Sequence, residues 1–170
     1  MNNTVKKQLL SAFFAATISV MSLIVIPSPT GIPITLQTFA VSLCGLMLGW
    51  KYGTLSVIIY LTAGLLGLPV FSGLTGGIGT LFGVTGGFLI GFLPLAIGCG
   101  ISEKMPQKIL FSALGLLVCH LVGILWFTIS TESNILIALS TVSLPYIIKD
   151  IISVFAAYMI SRIIHKRTNL

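Results

Sequence analysis

Charge is scarce in this sequence, and acid is scarcest of all. Only 7% of the 170 residues are charged, and Asp and Glu together number three. A water-soluble domain carries roughly 25% charged residues, because its surface must face water. So few charges on a chain of this length exclude a soluble globule. The cysteines Cys44, Cys99 and Cys119 are odd in number and form no C-x-x-C pair, so neither a disulfide framework nor a metal or redox site is supported. All three fall in apolar stretches and read as small packing residues. The sequence also lacks H-E-x-x-H, G-x-S-x-G and the G-x-x-x-x-G-K-[ST] phosphate loop. The chain therefore reads as a non-enzyme with no cofactor of its own. If it depends on ATP, another subunit must hydrolyse it. The net charge of +6 is not gathered into a patch or stripe, which argues against nucleic acid as a partner.

What the chain has in abundance is apolar sequence: 56% of residues are hydrophobic and the mean hydropathy is +1.12. A transmembrane helix needs about 20 mostly apolar residues at 1.5 Å rise each. Residues 9–26, 32–50, 52–68, 84–101, 109–129 and 144–164 qualify, several of them on the short side. Short cytoplasmic loops retain Lys and Arg. With an inner N-terminus, Lys6, Lys7, Lys51, Lys104, Lys108, Arg162, Lys166 and Arg167 all fall inside, and only Lys149 does not fit. The expectation is an all-α membrane protein: a compact bundle of six transmembrane helices, N- and C-termini cytoplasmic, forming one domain over residues 1–170. Lys6 and Lys7 ahead of an apolar run also fit a cleaved signal peptide. The length of 9–26 and the lack of an A-x-A-like site near Pro27-Ser28-Pro29 favour a retained span. No internal repeat of the kind found in inverted-repeat transporters is visible.

This topology sorts the unusual residues onto one face. The proline-rich connection 27–33 and the glycine-rich connection 69–79 both lie outside, and Lys149 and Asp150 lie in the outer part of the sixth span. The loop after Pro69 has no charge yet carries Val70, Phe71 and Leu74, so it is expected to fold back into the protein. Its Gly73, Thr75, Gly76 and Gly77 are candidates to present backbone groups to a ligand. A tight turn without a ligand explains the same glycines. Gly79, Gly83, Gly87 and Gly91 make a smooth stripe suited to helix packing, with Thr85, Gly86 and Gly87 as possible contributors to a site at its outer end. His120 is expected to hydrogen-bond a neighbouring helix. Ionisable groups inside a span are functional candidates by default, at a cost of at least ~2.5 kcal/mol each. Asp150 suits paired N–H donors on a ligand, Lys149 suits a ligand carboxylate, and the Gln37 amide both donates and accepts. The alternative for Lys149 and Asp150 is a self-neutralising pair near the interface.

Several ordered motifs then resemble one family. Ile32-Pro33-Ile34-Thr35-Leu36-Gln37-Thr38-Phe39, Leu68-Pro69-Val70-Phe71, Gly83-Val84-Thr85-Gly86-Gly87-Phe88, Gly123-Ile124-Leu125-Trp126 and Pro145-Tyr146-Ile147-Ile148-Lys149-Asp150 resemble the BioY family, the biotin-specific substrate-binding (S) components of energy-coupling-factor (ECF) transporters. The resemblance covers nearly the whole chain. It implies a multi-pass protein of a bacterial-type cytoplasmic membrane that captures biotin from outside, with Asp150, Lys149 and Gln37 at the ligand and Trp126 among the site residues. It also implies a transmembrane T subunit and two ATPase subunits as partners. Ala12 and Ala16 match the A-x-x-x-A pattern that meets the T subunit in such transporters; packing within the bundle is the other reading. One departure stands out. The family pattern Gly-Asp-x-x-Lys is here Lys149-Asp150-Ile151-Ile152-Ser153, so the lysine lies at residue 149 and not 153. Residues at i and i+4 share a helix face, so Lys149 has the reach to serve a similar carboxylate. An S component for another vitamin, or a structural membrane protein without a ligand, are the competing readings.

Overall fold

A computed structural model describes residues 2–28 and 30–168; Pro29, in the expected outer loop, lies outside the described residues. Helix α1 spans Asn3–Leu23 and is opened by Asn2, whose Oδ1 accepts the Thr4 N–H at 3.3 Å. It stops before the expected boundary at residue 26. Ile24, Val25 and Ile26 are β-branched, and Pro27 disfavours a helical conformation in the residue before it. Val25–Ile26 instead forms strand β1, antiparallel to β2 at Ile34–Thr35. This ribbon takes up the expected start of the second span, which therefore begins at Gln37 rather than at residue 32.

Helix α2, Gln37–Leu65, is broken at Gly49, where φ is 74° and ψ is 171°. A residue with a Cβ adopts that backbone only under strain, so glycine is what turns the helix there. A Cβ on Gly53 would stand 2.8 Å from Gly45 Cα, which places legs 37–48 and 50–65 side by side as a hairpin. The reversal expected around Lys51 lies two residues earlier, and Lys51 belongs to the second leg.

The chain continues through a single turn, α3 at Ile78–Leu81, to α4 at Gly86–Gly100 and α5 at Met105–Ser130. A short α6, Ile135–Ala138, passes through a π turn at Leu139–Ser143 into α7, Leu144–Thr168. Hydropathy alone marks out neither α3 nor the α6–π segment, because both are too short to show a period. The long rods are thus α1, the two legs of α2, α4, α5 and α7. By length and composition, Pro106–Ser130 and Ile135–Arg167 suffice to cross a membrane; the 29 residues of Gln37–Leu65 are apolar too but are divided between two antiparallel legs, and α4 is apolar but only 15 residues long.

The surface is apolar and the interior holds small polar groups. Ile129, Ile148 and Phe155 are 76%, 69% and 62% exposed, whereas Ser11, Ser42, Ser56 and Ser112 are buried. Lipid is the solvent that this arrangement fits, and small or hydroxylated residues are what bring such helices together. Ser11 Oγ donates to the Tyr52 carbonyl at 3.0 Å, joining α1 to the second leg of α2. Where α4 meets α5, a Cβ on Gly87 would lie 2.3 Å from Trp126 Cβ, and one on Gly91 2.9 Å from Cys119 Sγ. The expected four-glycine stripe is only half realised. Gly79 and Gly83 precede α4, and a Cβ on Gly79 would meet nothing within 4 Å.

The two ends of the bundle differ. Lys6, Lys7, Lys108 and His165 line one crevice with the Gly49 turn, and Lys7 and Lys51 both stand over the Tyr52 ring, at 5.5 and 6.0 Å. The opposite end carries the ribbon, the 69–77 loop and the π turn. Gly87→Ala is expected to cost about 1–3 kcal/mol through overpacking against Trp126, and Gly79→Ala less than about 0.5 kcal/mol. Thermal unfolding of the detergent-purified variants checks this; equal shifts for both would contradict the packing assigned to α4.

Candidate functional site

A cavity of about 290 Å³ opens at the end of the bundle away from the basic crevice. This lies at the lower end of the roughly 300–1,000 Å³ typical of small-molecule sites. One wall is apolar, built by Phe88, Leu89 and Phe92 of α4 and Leu116 of α5. The other is polar, with Thr35 of β2 and Gln37 and Thr38 at the start of α2 facing Tyr146, Lys149 and Asp150 of α7.

The 69–77 loop supplies the lid-side wall through Phe71, Ser72 and Thr75. Phe71 is 1% exposed, and its ring meets that of Tyr60 edge-on at 5.4 Å. Gly64 makes room for it, since a Cβ there would fall 2.1 Å from the Phe71 ring. The loop closes on itself as Phe71 N–H donates to the Thr75 carbonyl at 2.9 Å, with Gly73 (φ 72°) and Leu74 (φ 59°) making the turn. The apolar loop thus folds inward, as its composition requires.

Asp150 is the centre of the polar wall and is buried. Its Oδ1 is in ion-pair contact with Lys149 Nζ, and its Oδ2 lies 3.3 Å from His120 Nε2. The Thr38 hydroxyl also hydrogen-bonds the carboxylate. Lys149 Nζ also donates to the Thr35 carbonyl at 3.3 Å, tying α7 to the ribbon. His120 Nδ1 is 2.9 Å from Ser143 Oγ in the π turn. Gln37 is held at both ends of its amide: Nε2 donates to Tyr60 OH at 2.6 Å, and Oε1 accepts from Thr35 Oγ1 at 2.9 Å. Tyr146 OH donates to the Ile32 carbonyl at 2.5 Å and lies 2.5 Å from Thr30 Oγ1, which holds residues 30–32 over the cavity.

Of the residues expected from sequence, Asp150, Lys149, Gln37, Thr75 and Thr85 line this cavity. Gly73, Gly76, Gly77, Gly86, Gly87 and Trp126 do not. Gly76 packs on the Leu68 carbonyl and Gly86 on that of Leu81. Trp126 Nε1 donates to the Gly83 carbonyl at 2.9 Å and fixes the α3–α4 junction. Sequence reasoning missed Thr38, Ser72, Phe92 and Val142 in the wall. It also missed that the helix neighbour of His120 is the one carrying Asp150. An imidazole inside a span was the available signal, but its partner is set only by how α5 meets α7. Among the described residues no group of three or more His, Cys, Asp or Glu is placed to hold a metal ion.

An apolar wall, a buried carboxylate and an adjacent ammonium on a membrane helix bundle define a membrane-embedded receptor for a small amphipathic molecule. The family model described as the BioY family matches residues 1–169, and the chain belongs to that family. It is 40% identical over 156 residues to the probable biotin transporter BioY of Pyrococcus horikoshii, covering 92% of this chain and 94% of that one. It is 36% identical over 148 residues to the biotin transporter BioY2 of Lactococcus lactis, covering 84% and 81%. A crystal structure of the S-component for biotin from an ECF-type ABC transporter superposes with a TM-score of 0.87 at 31% identity, covering 98% of this chain and 95% of that one.

Tyr146→Phe removes the hydroxyl that holds residues 30–32, at an expected cost of about 1 kcal/mol. Hydrogen exchange should rise at the amides of residues 30–35 while helix content is unchanged. Unaltered exchange there would show that the segment is held by other contacts.

Proposed function

We propose that this chain is a biotin transporter: the S component that captures biotin at the outer face of the cytoplasmic membrane for an ECF-type complex. The observation that carries the reading is Asp150, a buried carboxylate in the polar wall of a small cavity whose opposite wall is apolar. A carboxylate accepts the two N–H groups of a ureido ring, and a buried one does so without competition from water. The apolar wall of Phe88, Leu89 and Phe92 suits the thiophane ring and the methylenes of the valerate chain. The ammonium of Lys149, also in the wall, meets the valerate carboxylate. Ser153, where the family pattern has its lysine, is buried in α7 and is not part of the cavity wall. The chain performs no chemistry on the ligand and is not an enzyme.

Membership of the family, the charge distribution and the six rods support six spans with both termini cytoplasmic. The basic crevice then faces inward and the cavity outward. Ala12 and Ala16 are exposed on α1 rather than packed inside the bundle. That favours the partner reading of their A-x-x-x-A pattern, in which α1 meets a T subunit that two ATPase subunits drive.

Equilibrium binding to the detergent-purified chain, with other vitamins in parallel, tests the ligand. Saturable biotin binding at submicromolar concentration is expected, and its absence, or preference for another vitamin, would sink the assignment. Lys149→Ala should weaken biotin at least about tenfold more than it weakens biotin amide, the loss of a charge-assisted pair being worth about 1.5–3 kcal/mol; equal losses would count against Lys149 as the carboxylate partner. Enlarging Ala12 or Ala16 to Trp should abolish biotin uptake by cells carrying the partner subunits and leave binding intact. Loss of binding, or normal uptake, would contradict the α1 interface.

A further inference from the structure

A buried carboxylate needs a partner at every stage of binding, because an uncompensated charge in an apolar bundle costs several kcal/mol. Beside the Thr38 hydroxyl in the wall, Asp150 has two basic partners of different kinds. Lys149 is long, its side chain is 26% exposed, and it stands in the cavity wall. His120 has a side chain 5% exposed and is not in the wall; it lies behind the carboxylate. Three contacts fix its ring. Nε2 faces Asp150 Oδ2 at 3.3 Å, Nδ1 faces Ser143 Oγ at 2.9 Å, and the ring meets Phe88 edge-on at 5.7 Å. A carboxylate only accepts, so Nε2 carries the proton, and Nδ1 takes the Ser143 hydroxyl proton in the neutral ring.

We infer that His120 is a positioning residue that holds Asp150 while Lys149 swings from it to the carboxylate of the bound ligand, an inference that rests on the biotin reading above. A ligand carboxylate draws the ammonium off Oδ1 and frees that oxygen for the ureido N–H groups. Without His120, the same step would leave Oδ2 without the donor that fixes the carboxylate's orientation toward the ligand. The Nδ1 contact keeps the ring from rotating out of line, and it reaches Ser143 because the π turn widens the backbone there. A ligand without a carboxylate leaves Lys149 on Asp150 and has less need of His120.

The test separates the two ring nitrogens. His120→Gln sets an amide N–H near the Nε2 position, and His120→Asn sets one near Nδ1, with neither restoring the other contact. Biotin and biotin amide are titrated against wild type and both variants, each checked for folding by thermal unfolding in detergent. The expected result is that Asn weakens biotin at least about tenfold but biotin amide no more than about threefold, while Gln keeps biotin within about threefold. Equal losses for Gln and Asn, or equal losses for the two ligands, would show a packing role and overturn the inference. Should His120→Asn not fold, His120→Leu, which has no donor for Asp150, carries the same comparison: a loss for biotin exceeding that for biotin amide supports the inference, and equal losses overturn it. Wild type that binds no biotin overturns the functional reading and this inference together; wild type that binds, with Asn unaffected, overturns this one alone.

Discussion

The ion pair and hydrogen bond that hold the Asp150 carboxylate are the constraint around which the outer half of the bundle is arranged. A charge in an apolar bundle persists only with partners placed to meet it, and those partners come from separate parts of the chain. Lys149 precedes it on α7, and His120 reaches it from α5. Through Lys149 the carboxylate is tied to the Thr35 carbonyl of the ribbon, and through His120 to Ser143 in the π turn. The ribbon, α5, the π turn and α7 thus meet at one anion. The cavity is the space they leave between that anion and the apolar side chains of α4.

Such a network requires rigid helices at close range, and the glycines of α4 and α5 supply the range. Gly91 lets α4 come against Cys119, one residue from His120, so the packing of small residues and the placement of the imidazole are the same event. Gly123 receives the Phe88 ring, which lines the cavity on one side and meets His120 edge-on. Without a hydrophobic drive between lipid-solvated helices, this close fit and the serine-to-backbone bonds are what hold the bundle.

How much of this is legible in the sequence depends on whether a feature is local. Hydropathy and the Lys/Arg pattern reach the helical rods and the side on which the odd residues gather, because each span carries its own signal. The reversal at Gly49 escapes by two residues, since a helical hairpin of this tightness needs only one glycine and no polar loop. The ribbon escapes because Val25–Ile26 and Ile34–Thr35 are apolar enough to be counted into the spans beside them. At the site, Asp150, Lys149 and Gln37 stand out as polar groups among apolar ones. Gly86, Gly87 and Trp126 stand out equally, yet they serve the junctions of α4 with α3 and α5, and composition cannot distinguish the two uses. The pairing of His120 with Asp150 joins residues thirty apart, and no pattern within either helix encodes it.

The position of the lysine has a consequence of its own. Residues adjacent in a helix point in directions about 100° apart, and side chains at i and i+1 do not face one another. Lys149 therefore reaches the Asp150 carboxylate only by bending its stem around the helix, steadied by a 3.3 Å bond to the Thr35 carbonyl. A lysine at residue 153 would lie at i+3 from Asp150, on the same face, where a pair forms without such bending. An ammonium at 149 instead reaches its partner from the cavity side, where its side chain is 26% exposed. A partner so placed is accessible to an anion that enters the cavity. The carboxylate can then depend on His120, whose ring is fixed on three sides and cannot follow the ligand. On the inference drawn above, the lysine position and the buried imidazole are two parts of one arrangement, in which the cation in the cavity wall serves the ligand and the donor behind the carboxylate serves the protein.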